Sequence, residues 1–231
     1  MPTTALFDNI APSYDRLNRL MSFGRDTGWR RKAIELITDG LPHDAAVLDV
    51  ATGTADIAIA IVQRHCGCRV VGVDLSDEML KVGRAKVQRA GLDGRIHLQQ
   101  ADCLSLPFED NSFDAVCVAF GMRNFDNLDL GLREMRRVLK PGGRLVALEL
   151  SYPDGAVMQA LYKLYALHAI PFVCGLLSGN RSAYRYLPRS IMQFPKPPQL
   201  IPRMEDAGFA SVRAQSLTFG VCRLYEAINM E

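Results

Sequence analysis

The sequence Val47-Leu48-Asp49-Val50-Ala51-Thr52-Gly53-Thr54-Ala55-Asp56 decides the fold of this chain. Residues typical of a strand run into a turn of small residues, and an apolar series from Ile57 to Val62 then predicts a helix. A strand, a tight glycine turn and a helix N-terminus form the ligand-binding half of an open α/β sheet. Gly53 lets a ligand approach the backbone closely, because it has no side chain. Many unrelated nucleotide sites share this pattern, so it predicts a class of fold rather than a cofactor.

The charges within this turn favour one class of cofactor. Asp49 ends the predicted strand, and Asp56 stands where the dinucleotide pattern G-x-G-x-x-G has its third glycine. Two carboxylates would repel a pyrophosphate, by roughly 4 kcal/mol for unit charges about 4 Å apart at an intermediate dielectric. S-adenosylmethionine carries a sulfonium and an ammonium and has no phosphate. The turn therefore predicts S-adenosylmethionine rather than NAD as the cofactor, with Gly53 in contact with it.

Length and composition exclude several classes of protein. At 231 residues the chain has the size of one domain, and a net charge of +2 gives no basic footprint for nucleic acid. Six scattered cysteines and a start without signal-peptide character predict a reduced, cytoplasmic protein. No apolar run reaches the ~18 residues of a membrane span. The sequence His65-Cys66-Gly67-Cys68 lacks C-x-x-C spacing and a second cluster, so we expect a loop there and no metal.

Strands and helices alternate after the central turn, which predicts a mostly parallel sheet. Further strands are predicted at 69–74, 96–100, 113–120 and 144–150, with helices at 76–90 and 128–139. The turn Lys140-Pro141-Gly142-Gly143 is expected to end the second of these helices. A helix at 199–207 precedes a hairpin of strands at 211–217 and 219–228. Together these elements predict a seven-stranded sheet with one antiparallel strand.

Two regions lie outside this alternation. Before the first strand, residues 29–37 predict an amphipathic helix, and Tyr14 is either a surface aromatic or part of a flap over the cofactor. The insertion after residue 150 is too long for a loop within a sheet and predicts a helical cap over the substrate. Its helix from Val157 to near Pro171 has an apolar face that belongs either to the core or to a path for an apolar substrate tail. We therefore expect a single domain of four parts: a helical flap (1–45), a cofactor-binding core (46–150), a substrate cap (151–199) and a C-terminal helix with a hairpin (200–231).

Acidic residues follow two of the predicted strands, at the sheet edge where ligands bind in such folds. Asp74 ends the second strand at the distance from the glycine turn at which a carboxylate accepts both hydroxyls of a ribose. Asp102 and Cys103 follow the third strand, where a carboxylate and a backbone amide can recognise the edge of an adenine. We expect these three residues to bind the adenosine half of the cofactor.

Six segments spread over nearly the whole chain belong to one recognisable pattern. They are Phe7 to Asp15, Trp29-Arg30, Leu48 to Asp56, Phe120-Gly121-Met122-Arg123-Asn124, Arg137 to Gly143 and Tyr184-Arg185-Tyr186-Leu187. Together they resemble the menaquinone/ubiquinone C-methyltransferases. The resemblance implies a class I S-adenosylmethionine-dependent methyltransferase of Rossmann-like fold, with Thr54, Asp74 and the pair Asp102-Cys103 on the cofactor. Two residues depart from it: Ala55 replaces the usual Gly, and Ala119 replaces a Ser that contacts the cofactor in some members.

This resemblance also implies a reaction, the methylation of a ring carbon of a reduced polyprenyl quinol, most specifically of demethylmenaquinol to menaquinol. A phenol with a pKa near 10 is mostly protonated at pH 7, so a base or a cation must assist its ionisation. We expect Arg123 to stabilise the phenolate and Asn124 to orient the hydroxyl, with His168 as second choice for the proton acceptor. Tyr14 and Tyr184 are expected to contact the substrate.

Several alternatives stay open at the level of sequence. The substrate can be the benzoquinol of the ubiquinone pathway or another small molecule, in which case the cap rather than the core differs. An NAD-linked oxidoreductase and a module that binds the cofactor without turnover are the other two classes. A polyprenyl substrate implies at most a weak, peripheral contact with the membrane. Tail length and oligomeric state are not predicted by the sequence.

Overall fold

A computed structural model describes the backbone of residues 3–165 and 181–230, with side chains from Thr4 to Tyr165 and from Tyr186 to Met230. Within these residues one sheet contains the strands β1 (Ala46–Val50), β2 (Arg69–Asp74), β3 (Ile96–Gln100), β4 (Phe113–Ala119), β5 (Leu139–Leu150), β6 (Phe209–Leu217) and β7 (Cys222–Asn229). The strand order is β3-β2-β1-β4-β5-β7-β6. The order reverses between β1 and β4, and ligands bind at such a switch point in open α/β sheets.

The pairing of these strands confirms the predicted α/β sheet. Strands β1 to β5 pair in parallel, whereas β7 lies antiparallel to both β5 and β6. One antiparallel strand is therefore present, as predicted. The side chains of Val47, Leu48 and Val50 are fully buried, because helices cover both faces of the sheet.

The helices of the described residues are α1 (Thr3–Ile10), α2 (Tyr14–Met21), α3 (Arg25–Thr38), α4 (Asp56–Arg64), α5 (Asp77–Arg89), α6 (Leu128–Val138), α7 (Ala156–Leu164), α8 (Arg181–Gln193) and α9 (Pro197–Asp206). Buried side chains of α3, α4 and α5 form one core layer, and those of α6 and α9 form the other. A third, smaller cluster joins α1, α2, α7 and α8 at the edge of the sheet where the strands β1 to β5 end. In the described part of the chain, no helix combines the length and the apolar character that crossing a bilayer requires.

Several element boundaries differ from the sequence prediction. Strand β7 begins at Cys222 rather than Phe219, because Thr218–Gly220 form a 3-10 turn, β6 begins at Phe209 rather than Ser211, and α9 begins at Pro197 rather than Gln199. Helix α3 begins at Arg25 rather than Trp29, and Tyr186 and Leu187 lie inside a helix, although no element was predicted for them. The turn at residues 140–143 is part of β5, because Leu139 pairs with Phe113 and the Asn229 amide donates to the Leu139 carbonyl at 2.6 Å. His168 and the predicted end of a helix near Pro171 lie outside the described residues.

Candidate active site

A cleft of about 840 Å³ opens at the carboxyl ends of β1, β2 and β4. Its walls include four residues that the sequence predicts to bind the cofactor, namely Gly53, Asp74, Asp102 and Cys103. Residues far apart in sequence meet there because parallel strands end at the same edge of the sheet.

The Asp74 carboxylate forms one side of this cleft. Its Oδ2 accepts a hydrogen bond from the Gly53 backbone N–H at 2.8 Å, and its Oδ1 accepts one from the Ser76 N–H at 2.9 Å. Each oxygen keeps a second lone pair, so the carboxylate can still accept the two hydroxyls of a ribose. Burial raises the pKa of Asp74 above its usual range.

The glycine turn leaves room for a ligand. Gly53 has a φ of 55°, and a Cβ placed on it would meet no atom within 4 Å. A Cβ on Gly121, by contrast, would lie 2.6 Å from the Cβ of Ala51. The segment from Phe120 to Asn124 therefore packs directly against the turn, and both form walls of the cleft.

The predicted adenine-binding pair also lies in the wall of this cleft. Asp102 is exposed, and its Oδ1 accepts a hydrogen bond from the Leu104 N–H at 2.9 Å. Cys103 is buried, and burial raises the pKa of its thiol to about 12. The thiol is therefore neutral at pH 7 and offers an apolar surface to a flat ring.

Thr54 lies in a smaller recess that adjoins the cleft. Its hydroxyl donates to Oδ1 of Asp15 at 2.6 Å and accepts from the Lys86 ammonium at 3.2 Å. Asp15 belongs to α2, so the Thr54 side chain holds the N-terminal helices against the glycine turn. Ser76 makes a similar link, because its hydroxyl donates to Asp8 of α1 at 2.5 Å.

The charges around the recess differ from those that the sequence argument assumed. Asp56 forms an ion pair with Lys86, and its other oxygen lies 3.9 Å from Nη1 of Arg30. Its charge is therefore partly compensated, because Lys86 is shared with Asp15, and the repulsion of a pyrophosphate rests more on Asp49 than the sequence argument assumed. Asp49 is 1% exposed, and burial raises its pKa to about 6, although the Thr52 hydroxyl donates to it at 2.6 Å.

Arg30 is a wall residue of this recess that sequence reasoning did not assign to the site. Its Nε lies 3.7 Å from Asp26, beyond hydrogen-bond distance, and is buried without a hydrogen-bond partner among the described residues. The guanidinium carbon lies 5.2 Å from the centre of the Phe120 ring. In the sequence, Trp29-Arg30 is one of the segments on which the family resemblance rests, but no role was predicted for Arg30.

A second cavity, of about 580 Å³, lies beyond the cleft, between α2, α3, α7 and α8. Tyr14 and Phe120 line both the cleft and this cavity, so the two spaces share a wall. The remaining lining is mostly apolar and aromatic, with Tyr162 and Tyr165 on one side and Leu187 and Ile191 on the other. Such a lining fits a flat, largely apolar ring better than a charged metabolite.

Arg123 also lines the second cavity, where it is the buried cation. Its side chain is 5% exposed and its Nη1 donates to Oε1 of Glu149, itself 1% exposed, at 2.8 Å. Burial opposes the charge, but the Glu149 carboxylate prevails and raises the pKa of Arg123. The Nε of Arg123 and the Nδ2 of Asn18, which lines the same cavity, are buried without a hydrogen-bond partner among the described residues.

Asn124 connects the cleft to α8. Its Oδ1 accepts a hydrogen bond from the Tyr186 hydroxyl at 3.0 Å, and its Nδ2 donates to the Phe120 carbonyl at 3.4 Å. Tyr186 was quoted in the sequence pattern, but Tyr184 was the residue predicted to contact the substrate. The Tyr184 side chain and His168 lie outside the described residues, so their predicted roles stay predictions.

Tyr14 occupies the position expected of a flap residue. Its ring contacts the Phe7 ring edge to face, with 6.2 Å between the ring centres, and both rings line the cleft. The N-terminal helices therefore cover one side of the cleft. Within residues 3–165 and 181–230, no three His, Cys, Asp or Glu side chains are grouped so as to hold a metal ion.

Comparisons with known proteins show the family and the fold of this chain. Residues 3–229 match the model of the ubiE/COQ5 methyltransferase family. A demethylmenaquinone methyltransferase of Bacteroides fragilis is 47% identical over 222 residues, which cover 96% of this chain and 90% of the relative. The ubiquinone/menaquinone biosynthesis C-methyltransferase UbiE of Geotalea daltonii is 44% identical and covers 95% of this chain and 93% of its own. Among solved structures, a SAM-dependent methyltransferase from Aquifex aeolicus has the same fold, with a TM-score of 0.60, 19% identity and coverage of 87% of this chain and 89% of its own.

Proposed function

The chain belongs to the ubiE/COQ5 methyltransferase family, and we propose that it methylates a ring carbon of a polyprenyl quinol, with demethylmenaquinol as the substrate. The methyl donor is S-adenosylmethionine. Support for the naphthoquinol comes from relatives at 47% identity that are named demethylmenaquinone methyltransferase. The benzoquinol of the ubiquinone pathway is the second candidate, because relatives at 44% identity carry the name of both pathways.

In this proposal the adenosine half of the cofactor lies in the cleft. Asp74 binds the ribose hydroxyls, while Asp102 and the backbone of Cys103 recognise the adenine edge. Gly53 admits the cofactor because the space above it is open. Each of these contacts uses a group that the structure places in the wall of the cleft.

The small recess suits the amino-acid end of the cofactor. A free α-amino acid carries an ammonium and a carboxylate, and the recess has Asp49 and Arg30 in its walls, together with Thr54. We assign the ammonium to Asp49 and the carboxylate to Arg30. Arg30 suits this task because its two ion-pair distances, 3.7 and 3.9 Å, leave its N–H donors weakly engaged.

The second cavity would hold the quinol ring, covered by the N-terminal flap (1–45) and the cap (151–199). Arg123 is too basic to take a proton at pH 7, but its cation lowers the pKa of a phenol beside it and stabilises the phenolate. The unpartnered N–H groups of Arg123 and Asn18 are donors that such an oxygen would satisfy. Tyr14, which lines both spaces, positions the ring, and Asn124 orients the hydroxyl from the side of the cleft. His168 remains the candidate for the proton acceptor, with Tyr184 as a further contact from the cap.

The observation that carries the proposal is the wall that the two spaces share. A methyl group can pass directly from a donor in the cleft to a carbon in the second cavity only where the spaces meet, at Tyr14 and Phe120. In-line positioning of carbon and methyl can supply up to roughly 7 to 11 kcal/mol of the barrier. The geometry thus favours a transferase with two neighbouring sites over a module that only binds the cofactor.

Two linked measurements test the proposal. Calorimetry should show binding of S-adenosylhomocysteine and none of NADH. Methyl-labelled S-adenosylmethionine should then label a ring carbon of reduced demethylmenaquinone faster than that of the benzoquinol from the ubiquinone pathway. Cofactor binding without turnover on any quinol would contradict the proposed reaction, and faster labelling of the benzoquinol would replace the substrate.

We further infer that the enzyme works in the cytoplasm and meets its substrate at the membrane surface. A polyprenyl tail keeps the quinol in the bilayer, so the enzyme must approach the lipid for its ring to reach the second cavity. A weak, reversible contact satisfies this need.

A further inference from the structure

Six large apolar side chains are exposed on α2, on α7 and in the turns after α2 and β6. They are Leu20, Phe23, Val157, Leu161, Leu164 and Phe219, which we call the apolar rim. Phe23 is 77% exposed, Phe219 76% and Val157 75%. Val157, Leu161 and Leu164 of α7 are therefore not part of the core, whereas Tyr165 on the same predicted face packs on the third cluster.

The rim residues come from three segments that meet around the second cavity. The Phe23 ring contacts the Tyr165 ring, with 5.6 Å between their centres, and the Tyr165 hydroxyl donates to the Met21 carbonyl at 2.6 Å. The indole N–H of Trp29 donates to the hydroxyl of Thr218, the neighbour of Phe219, at 2.8 Å. The same segments line the second cavity through residues 21, 22, 162, 165 and 221.

Both aromatic residues of the rim have an unusual backbone conformation. Phe23 has a φ of 51° and Phe219 a φ of 56°, in the left-handed region that bulky residues rarely occupy. Strain of this kind persists at functional sites, where the surrounding structure maintains it. In both cases the result is an aromatic ring that points away from the core.

Cations outnumber anions around the rim. Residues 16–25, 156–165 and 217–221 contain Arg16, Arg19, Arg25 and Lys163 and no Asp or Glu. All four cations are exposed, although Arg19 also lies 3.5 Å from the buried carboxylate of Asp26. The exposed carboxylate of Asp154 lies beside Gly220, the neighbour of Phe219, and is paired with Arg223. Exposed aromatic and aliphatic side chains with flanking cations are typical of surfaces that bind anionic lipid.

We propose that the apolar rim is a membrane-docking surface that seats the mouth of the second cavity on an anionic lipid monolayer. The inference rests on the proposed function, since a quinol substrate is the reason to visit the bilayer. The Phe23 and Phe219 rings enter the interface, and the four cations contact the headgroups. The quinol ring can then enter the second cavity while its tail stays among the acyl chains.

Flotation with lipid vesicles tests the surface independently of catalysis. The full chain should float with vesicles of equal parts phosphatidylcholine and phosphatidylglycerol without quinone, and less so at high salt. The double variant Phe23→Ser/Phe219→Ser should partition about tenfold less or weaker still, because each ring loses its burial in lipid. Neither residue lines the cleft or the second cavity. Met230→Ser is the matched control, since Met230 is 65% exposed next to Asn229, which contacts the opposite end of β5.

A second measurement separates docking from chemistry. With a water-soluble naphthoquinol that lacks the tail, the double variant should turn over at the wild-type rate. With a long-tailed quinol in vesicles it should be slower by about the same factor as its loss of partitioning. Equal flotation of the double variant and the wild-type chain would overturn the proposal. Self-association of the wild-type chain without vesicle binding, lost in the double variant, would also overturn it. If no quinol is methylated while flotation still depends on the rim, the proposed function fails and the docking surface does not.

Discussion

The cofactor cleft and the second cavity share a wall, but they are built in different ways. The cleft lies where parallel strands end. Backbone N–H groups in the loops after these strands hold its polar side chains, as the Gly53 N–H holds the Asp74 carboxylate. The second cavity is enclosed by helices from both ends of the chain, and Arg123 in its wall is paired with the buried Glu149 behind it. The first is set by sheet topology and the second by tertiary packing.

This difference predicts different responses to mutation. Residues of the cleft should control cofactor affinity, and residues of the second cavity should control turnover at saturating cofactor. The predictions below separate these two effects, or show that the two spaces are less independent than we propose.

The largest effect is expected at Arg123. Arg123→Met should lower turnover by about a hundredfold or more, as the loss of a transition-state donor does, and should shift the reaction toward high pH. Cofactor affinity, measured by calorimetry, should stay unchanged.

Leaving Glu149 buried without its partner costs about 3–5 kcal/mol of stability. The double variant Arg123→Met/Glu149→Gln removes both charges and therefore provides a folded control. Normal turnover in that double variant would remove Arg123 from the chemistry, and a dead His168→Gln with intact cofactor binding would then point to His168.

Asp74 should dominate on the cofactor side. Its replacement by Ala removes two charge-assisted hydrogen bonds to the ribose, each worth about 1.5–3 kcal/mol, so S-adenosylhomocysteine should bind at least about tenfold more weakly. The same change leaves the Gly53 and Ser76 N–H groups without their acceptor, so some loss of thermal stability is also expected. Affinity must therefore be measured well below the melting temperature. An unaltered dissociation constant would exclude Asp74 from the site.

Arg30 separates the two ends of the cofactor. Arg30→Met should weaken S-adenosylhomocysteine by about tenfold, the loss of one charged hydrogen bond. Methylthioadenosine, which lacks the amino-acid end, should bind both proteins equally well. Equal weakening of the two ligands would mean that Arg30 acts by shaping the cleft, through its contact with Phe120, rather than by binding the carboxylate.

A smaller effect is expected from the titration of Asp49. Its pKa of about 6 in the unliganded protein lies above the value of an unfolded chain, about 3.9, so its contribution to stability is present at low pH and is lost as pH rises toward 6. Binding an ammonium favours the charged carboxylate and releases the proton. Affinity for S-adenosylhomocysteine should therefore rise as pH increases from 5 to about 6.5 and then level off.

Methylthioadenosine is the control for this pH dependence, since it has no ammonium and should show little slope. Asp49→Asn should flatten the slope for S-adenosylhomocysteine as well. Identical slopes for both ligands would assign the titration to another group.

The smallest effect is expected at Ala55. It has a φ of 64°, in the left-handed region that favours glycine, and it is fully buried. Ala55→Gly should change the free energy of unfolding by less than about 1 kcal/mol, because relief of backbone strain offsets the greater freedom of the unfolded chain. Cofactor affinity should not change, and a loss of affinity would show that this turn is more tightly coupled to the cleft than we propose.

Much of the cleft was predictable from the sequence, because it depends on local patterns. Apolar runs located the strands, and parallel strands bring their ends to one edge, so Asp74, Asp102 and Cys103 were expected to meet. The departure at Asp56 shows the limit: its charge suggested the cofactor, but its partner Lys86 lies on another helix. The inference to S-adenosylmethionine was confirmed although one of its two supporting charges is compensated.

The second cavity was not predictable in the same way. Its contacts join residues far apart in sequence, as Tyr165 joins Met21. Helices α1 and α2 have eight residues each, too few for a clear apolar periodicity to show. Their aromatic and acidic residues gain meaning only from the strands against which they pack.

The most direct test of the account is a crystal structure with S-adenosylhomocysteine and a reduced naphthoquinol without a tail. We predict that the sulfur lies at the wall formed by Tyr14 and Phe120, with the quinol ring in the second cavity and one of its oxygens within hydrogen-bond distance of Arg123. A sulfur directed away from that wall, or a ring bound elsewhere while the crystals remain active, would contradict the assignment of the two spaces.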